Sequence, residues 1–318
     1  MRLPLIATRS TGTPGRLFTR GISTRSYADV LDQLPAGEVG RRISKSAVSR
    51  RFVALSVNRL GQLLSRPLGD LDLCAVMIDG IGFHGHVVLI ALGVTTDGRK
   101  HVLGLCEGAT ENTAVAKAML ADLVERGLST ERGMLFVIDG AKALRRAVRD
   151  VFGASGIVQR CQVHKLRNVL EHLPESARPR VHRVLVEAWQ MSNADLAERR
   201  LRTFADSLER EHPGAANSLK EGLAETLILQ RLGVRGALYQ TLRSTNAIEN
   251  LNGGVRHFSS KVKRWQGGAM LLRWVGAAVV HASLGFRRVR GYADLPVLVA
   301  ALGRDLKRNS VDSPEKAA

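Results

Sequence analysis

The chain has 318 residues, enough for one large core or two to three smaller ones, so a single domain is not assumed. It carries 47 Lys and Arg against 29 Asp and Glu, a formal charge of +18; such an excess can be a solvated surface and is also what a phosphate-binding protein needs. No apolar run approaches the roughly 20 residues of a membrane span, the N-terminal apolar stretch is too short for a signal peptide, and the three cysteines are odd in number with two in strand-like runs, which argues against a disulfide framework and for the reducing cytoplasm.

Residues 1–20 show no periodicity and are expected to be disordered; they are basic, lack acids and are rich in Ser and Thr, a pattern that an arbitrary or truncated start explains more simply than a transit peptide does. Residues 21–66 read as short helices, GISTRSYADVLDQL and SKSAVSRRFVALSVNRLGQLL, broken by Pro-Ala-Gly-Glu. In the second, Val48, Phe52, Leu55 and Leu60 recur at helical spacing. This resembles a helix-turn-helix, with Ser44 or Ser46 as cap and Lys45, Ser46, Ser49, Arg50 and Arg51 on the first turns, where a recognition helix meets the major groove. The plainer alternative is a basic helix packed on the next domain.

From residue 71 the period changes. LDLCAVMID, HVVLIALGVT and KHVLGLCE read as strands, TENTAVAKAMLADLVERGL as a helix, GMLFVIDG as a fourth strand, KALRRAVRDVFG as a helix stopped by Gly153, and GIVQRC as a fifth strand. Three strands, helix, strand, helix, strand is the order of an RNase H-like core. Residues 165–241 then carry only helical patterns, the last of them AANSLKEGLAETLILQRL, and read as an all-helical insertion. The expected fold class is therefore α/β: an RNase H-like catalytic core in two parts, 71–164 and 242–304, with the insertion between them, the helix-turn-helix-like segment in front and a polar tail, 305–318, that frays.

Three acids stand out. Asp79 and Asp139 each precede a glycine at the end of an apolar run, and Glu249 lies in TNAIEN. Alone, Asp79 can start a hairpin turn, Asp139 can cap the helix near Lys142, and Glu249 can close a capping box with Asn246. Together they fall at the end of the first strand, the end of the fourth and on a later helix, positions that converge on one edge of such a core. Carboxylates so placed suit two Mg²⁺ or Mn²⁺ ions about 3.5 to 4 Å apart, which activate a water or 3′-hydroxyl and stabilise the departing oxygen. Cys161-x-x-His164 is half a zinc site with no second pair to complete it; a structural or DNA-proximal role is favoured over zinc. Lys261, Lys263 and Arg264 flank Trp265 and read either as a phosphate grip with a stacking ring or as a solvated basic loop with a core Trp. Trp189 and Trp274 fall on apolar helical faces and are expected in the core, the alternative being an insertion-domain aromatic that stabilises a displaced base.

The stretches IDG around Asp79, VIDGAKALRRAV around Asp139, RCQVHKLRNVLEHLP at 160–174, STNAIENLNGGVR at 244–256 and VKRWQGGAMLLRW at 262–274 resemble the Mutator-type bacterial insertion-sequence transposases. The resemblance runs from about residue 21 to 302. It implies a DDE enzyme with an RNase H-like fold and a helical insertion before the Glu, with Asp79, Asp139 and Glu249 as catalytic and metal-binding residues and Cys161 and His164 as the family's C-x-x-H motif. The implied activity is cutting at terminal inverted repeats and joining the 3′-hydroxyl ends to target DNA, by a homodimer that pairs two ends in a bacterial cytoplasm, at the nucleoid. Members usually carry a longer region before the helix-turn-helix, so the alternative is a shortened, inactive remnant that binds DNA only. A weaker third reading is a nuclease acting on structured DNA.

Overall fold

The computed structural model describes residues 45–83, 85–108, 112–260, 262 and 264–311. The first helix of the expected helix-turn-helix, the leading 1–20 segment, Lys261, Lys263 and residues 312–318 lie outside these.

Five strands form one sheet: β1 (Leu73–Phe83), β2 (His86–Thr95), β3 (Lys100–Glu107), β4 (Met134–Ile138) and β5 (Gly156–Arg160), in the order β3-β2-β1-β4-β5. β1, β2 and β3 are antiparallel neighbours, whereas β4 runs parallel to β1 and β5 parallel to β4. A parallel pair needs a crossover, supplied by α2 (Thr113–Glu125) between β3 and β4 and by α3 (Lys142–Phe152) between β4 and β5. The middle strands are buried on both faces because helices cover both, so they read as continuous apolar runs rather than alternations.

Side-chain parity decides which face each strand residue serves. Val76 and Ile78 of β1 join the core packed by α2 and α3, with Leu120, Leu123, Leu144 and Val148. Met77, Ile81 and Phe83 join the opposite core, whose helical members include residues of α10 (Asn246–Ser259), α11 (Gly268–Ser283) and α12 (Leu295–Val311) and, from the helical segment before α10, Leu229, Leu238, Tyr239 and Leu242. Phe52, Leu60 and Leu64 of α1 (Lys45–Ser65) pack against that same core. Leu55, expected on the buried stripe, is 41% exposed, and Leu63 is buried instead.

Between β5 and α10 the described chain is helical throughout: α4 (Gln162–Glu171), α5 (Arg178–Gln190), α6 (Ala194–Leu208), α7 (Pro213–Lys220), a 3₁₀ turn at Ala224–Leu227, α8 (Ile228–Arg231) and α9 (Gly236–Leu242). These helices hold a core of their own around Leu185, Trp189, Leu201, Leu219 and Leu227. The run read as AANSLKEGLAETLILQRL is three pieces, and the first break falls at Gly222, whose φ of +61° a helix cannot continue through. α12 continues to Val311, seven residues into the stretch expected as a tail. Among the described residues, no helix is long and apolar enough to cross a membrane.

Candidate active site

Asp79 lies inside β1 rather than at its end. The strand continues through Ile81 and Phe83 and pairs to His86 on β2, because those two side chains keep the period-two pattern and reach the core at 0% and 8% exposure. The turn expected at Asp79-Gly80 is therefore displaced beyond Phe83. What ends near Asp79 is the parallel ladder, whose last pair is Met77 with Val137. Parity puts Asp79 on the face of Met77 and Ile81, the face α10 covers.

Asp139 follows the last residue of β4. One carboxylate oxygen accepts from the Ala141 amide at 2.9 Å, so it does shape the turn into α3. Its other oxygen takes no hydrogen bond among the described residues. Gly140, at φ +104°, has the Arg160 side chain where a Cβ would sit, which closes the turn against β5.

Glu249 occupies the first turn of α10. The expected capping box with Asn246 is not formed: Asn246 is already the first helical residue, and Thr245 is the cap position. Thr245 instead donates its hydroxyl to Glu249 Oε1 at 2.7 Å, and its carbonyl accepts from the Glu249 amide at 2.9 Å. One turn further on, Asn252 donates from Nδ2 to Asp79 Oδ2 at 2.9 Å, joining α10 to β1 across the site. Asn252 is 4% exposed, and its Oδ1 is buried without a partner among the described residues.

The charges of Asp139 and Glu249 both act on Asp79, so the three acids lie near one another. Burial pushes the Asp79 carboxyl up to about 6; the Gly80 amide and His164 oppose this, and the charges of Asp139 and Glu249 add to it. Among the described residues no Lys or Arg forms an ion pair with any of the three; the nearest cationic candidate is His164, with Nε2 3.9 Å from Glu249 Oε1. Half-buried carboxylates without basic partners are costly to charge, and their oxygens are the donor type that Mg²⁺ or Mn²⁺ takes; among the described residues, the ligand atoms of the three acids do not all fall within 4.8 Å of one another.

Cys161 and His164 stand beside Glu249. Cys161 caps α4, its Sγ accepting from the His164 amide at 3.4 Å. Thr245 Oγ1 lies 3.4 Å from that sulfur and 3.3 Å from His164 Nδ1. Burial would raise the Cys161 thiol, but hydrogen bonds from His164 and Thr245 outweigh it and hold the thiol below its ordinary range. The contact with Cys161 holds His164 above its ordinary range against burial, helped by the charges of Glu249 and Asp79.

The basic candidates are apart from this cluster. Lys45, Ser46, Ser49, Arg50 and Arg51 lie on the first turns of α1, with Ser46, Ser49 and Arg50 exposed. Arg264 is exposed, and neighbouring Trp265 is half-buried with its ring 5.3 Å from Phe83, edge to face. Trp189 is core, 2% exposed, donating its indole N–H to Thr226. Trp274 packs its ring on Phe52 and Phe258. Two members of the site had escaped the sequence reading, Thr245 and Asn252. Their signal was spacing: four before and three after Glu249, they share its helical face.

The sequence model of a family described as Transposase, Mutator family, matches residues 15–288, which bears out the resemblance read from the motifs. The chain is 28% identical over 275 residues to the transposase for insertion sequence element IS6120 of Mycolicibacterium smegmatis, covering 83% of each chain. It is 27% identical over 273 residues to the transposase for IS256 in transposon Tn4001 of Staphylococcus aureus, covering 83% of this chain and 67% of the relative. With the transposase for IST2 of Acidithiobacillus ferrooxidans it shares 32% over 176 residues, covering 55% of this chain and 58% of the relative.

Proposed function

The chain belongs to the Mutator family of transposases, and from that premise we propose that it is a DDE-type DNA transposase with an RNase H-like core, cutting at transposon terminal inverted repeats and joining the 3′-hydroxyl ends to target DNA. The observation that carries this reading is the bridge from Asn252 of α10 to Asp79 of β1, because it draws the helix bearing Glu249 onto the sheet edge that bears both aspartates. The strand order β3-β2-β1-β4-β5, antiparallel on one side of β1 and parallel on the other, supports the RNase H-like assignment.

In this reading Asp79, Asp139 and Glu249 hold two Mg²⁺ or Mn²⁺ ions. When bound, those ions lower the pKa of the attacking water or 3′-hydroxyl and stabilise the departing oxygen. The protein's own part is positional. Asn252 holds Asp79, Thr245 holds Glu249, and the Ala141 amide holds Asp139, so each carboxylate is oriented by a neighbour before substrate arrives. Ser46, Ser49 and Arg50 on α1 and Arg264 supply exposed donors for phosphate. Two ends must be held at once, so the working form is a homodimer on DNA, at the bacterial nucleoid.

The test is nicking of a labelled duplex carrying the native terminal repeat, with Mg²⁺ or Mn²⁺. Asp79→Asn, Asp139→Asn and Glu249→Gln are each expected to lower cleavage by about a hundredfold or more while end binding stays near wild type. Should one variant cut as well as wild type, its residue is no ligand. A wild type that binds ends but never cuts with either metal would instead be a DNA-binding protein without catalysis.

A further inference from the structure

Cys161 and His164 look like half of a metal site because sequence spacing supplies only two ligands. The fold supplies a third. The Cys161 sulfur, a His164 ring nitrogen and a Glu249 carboxylate oxygen all lie within 4.8 Å of one another. The three come from rigid positions: Cys161 ends the β5 ladder with its amide donating to Ile138 O at 2.7 Å, while His164 and Glu249 sit on the first turns of α4 and α10. Thr245 Oγ1 touches all three, at 3.4 Å from the sulfur, 3.3 Å from His164 Nδ1 and 2.7 Å from Glu249 Oε1. A hydrogen-bonding neighbour behind the ligands, here donating to Glu249, is a common feature of metal sites.

The distances are within reach of an ion. Tetrahedral zinc, with Zn–S near 2.3 Å and Zn–N or Zn–O near 2.0–2.1 Å, sets its ligand atoms about 3.3–3.6 Å apart. His164 Nε2 and Glu249 Oε1, at 3.9 Å, are too far apart for a hydrogen bond and need only a small inward movement to share an ion. Cys161 is 0% exposed, but the His164 and Glu249 side chains are 21% and 36% exposed, so a cation can enter from their side. Thiolate, imidazole and carboxylate together form a zinc-class donor set, softer than the three-carboxylate set next to it, and a thiolate discriminates against Mg²⁺.

We propose that Cys161, His164 and Glu249 form a binding site for a zinc-class divalent cation, and that filling it withdraws Glu249 from the three carboxylates, so that zinc holds the transposase inactive. The binding half stands on the geometry alone; the inhibitory half rests on the function proposed above.

Co²⁺ serves as the probe, titrated into the metal-free, untagged full chain. One equivalent is expected to give a thiolate-to-cobalt charge-transfer band that Zn²⁺ abolishes by displacement. The band should vanish in Cys161→Ser and persist in Cys74→Ser and Cys106→Ser. Glu249→Gln should keep the band with weaker affinity, and Thr245→Val should weaken affinity roughly tenfold or more. The site is overturned if the wild type shows no thiolate band, if the band survives in Cys161→Ser, or if Glu249→Gln binds Co²⁺ as tightly as wild type. In the second arm, Zn²⁺ is added to the nicking assay, where inhibition relieved by a chelator is expected. A chain that nicks in Mg²⁺ and is indifferent to bound Zn²⁺ overturns the inhibitory half. Cobalt binding by a chain that never nicks leaves the metal site standing and removes the transposase chemistry.

Discussion

Asp79 shows how a buried acid can be expensive to the fold. Its carboxyl is raised from 3.8 to about 6, chiefly by burial, so the folded state binds the proton more tightly than the unfolded state does. The sign follows: relative to a neutral side chain, folding is unpenalised below pH 4 and loses stability as pH rises through about 6. Metal-free Asp79→Asn is therefore expected to be more stable than wild type at pH 7.5, by about 3 kcal/mol from a shift of roughly two units. The advantage should disappear below pH 4 and shrink when Mg²⁺ is added, since only the wild type gains a ligand. Urea unfolding at the two pH values, with and without Mg²⁺, measures this. Equal stabilities at pH 7.5 would mean that Asp79 is not strained by its burial. Asn252 is the same kind of residue, a buried amide whose single bond to Asp79 leaves one oxygen unpaired.

At the scale of elements, the helical segment is fastened to the sheet by buried polar groups rather than by apolar contact alone. Gln162 Nε2 donates to Thr226 O and Tyr239 Oη, each at 2.8 Å, and Gln159 Nε2 donates to Thr226 O at 3.1 Å. Lys165 on α4 is fully buried and donates from Nζ to the carbonyls of Ser218 and Glu221, at the end of α7. Burial, with Arg160 nearby, pushes its ammonium down to about 7. A depressed lysine favours the fold above its unfolded pKa, and that stability is lost as pH falls toward the folded pKa. Wild type should thus gain a few kcal/mol on Lys165→Met between pH 7 and 10. Paired urea melts at pH 7 and pH 9.5 check this; a constant difference between the two proteins would mean that Lys165 keeps its charge at ordinary cost.

At the scale of the whole molecule, the sheet gives one face to the crossover helices and the other to α10, α11, α12 and α1. The acids therefore meet at an edge where strands from one part of the chain face a helix from another. The chain as a whole carries a formal charge of +18. DNA affinity is accordingly expected to fall steeply with salt, with a log–log slope of roughly −5 or steeper if about six phosphates are neutralised. Binding isotherms across a salt series read the slope, and a flat dependence would contradict a phosphate-gripping surface.

Much of this protein was settled by local pattern. Apolar runs of β-favouring residues marked the five strands, helical periodicity marked α2 through α6, and acids beside glycines and in TNAIEN, interrupting apolar stretches, singled out Asp79, Asp139 and Glu249 as candidates. The structure alone decided where β1 ends, since its outer half is held by pairing with β2 that no local signal at Asp79-Gly80 reports. It alone broke the helix at Gly222, whose φ of +61° is set by the Glu221 and Arg160 contacts that cross from β5. It also decided what Cys161 and His164 stand beside. Residue spacing along a chain reveals partners that share a helix or a strand, whereas Glu249 reaches them from a helix 85 positions further along, and only the packing of α10 on β1 supplies that distance.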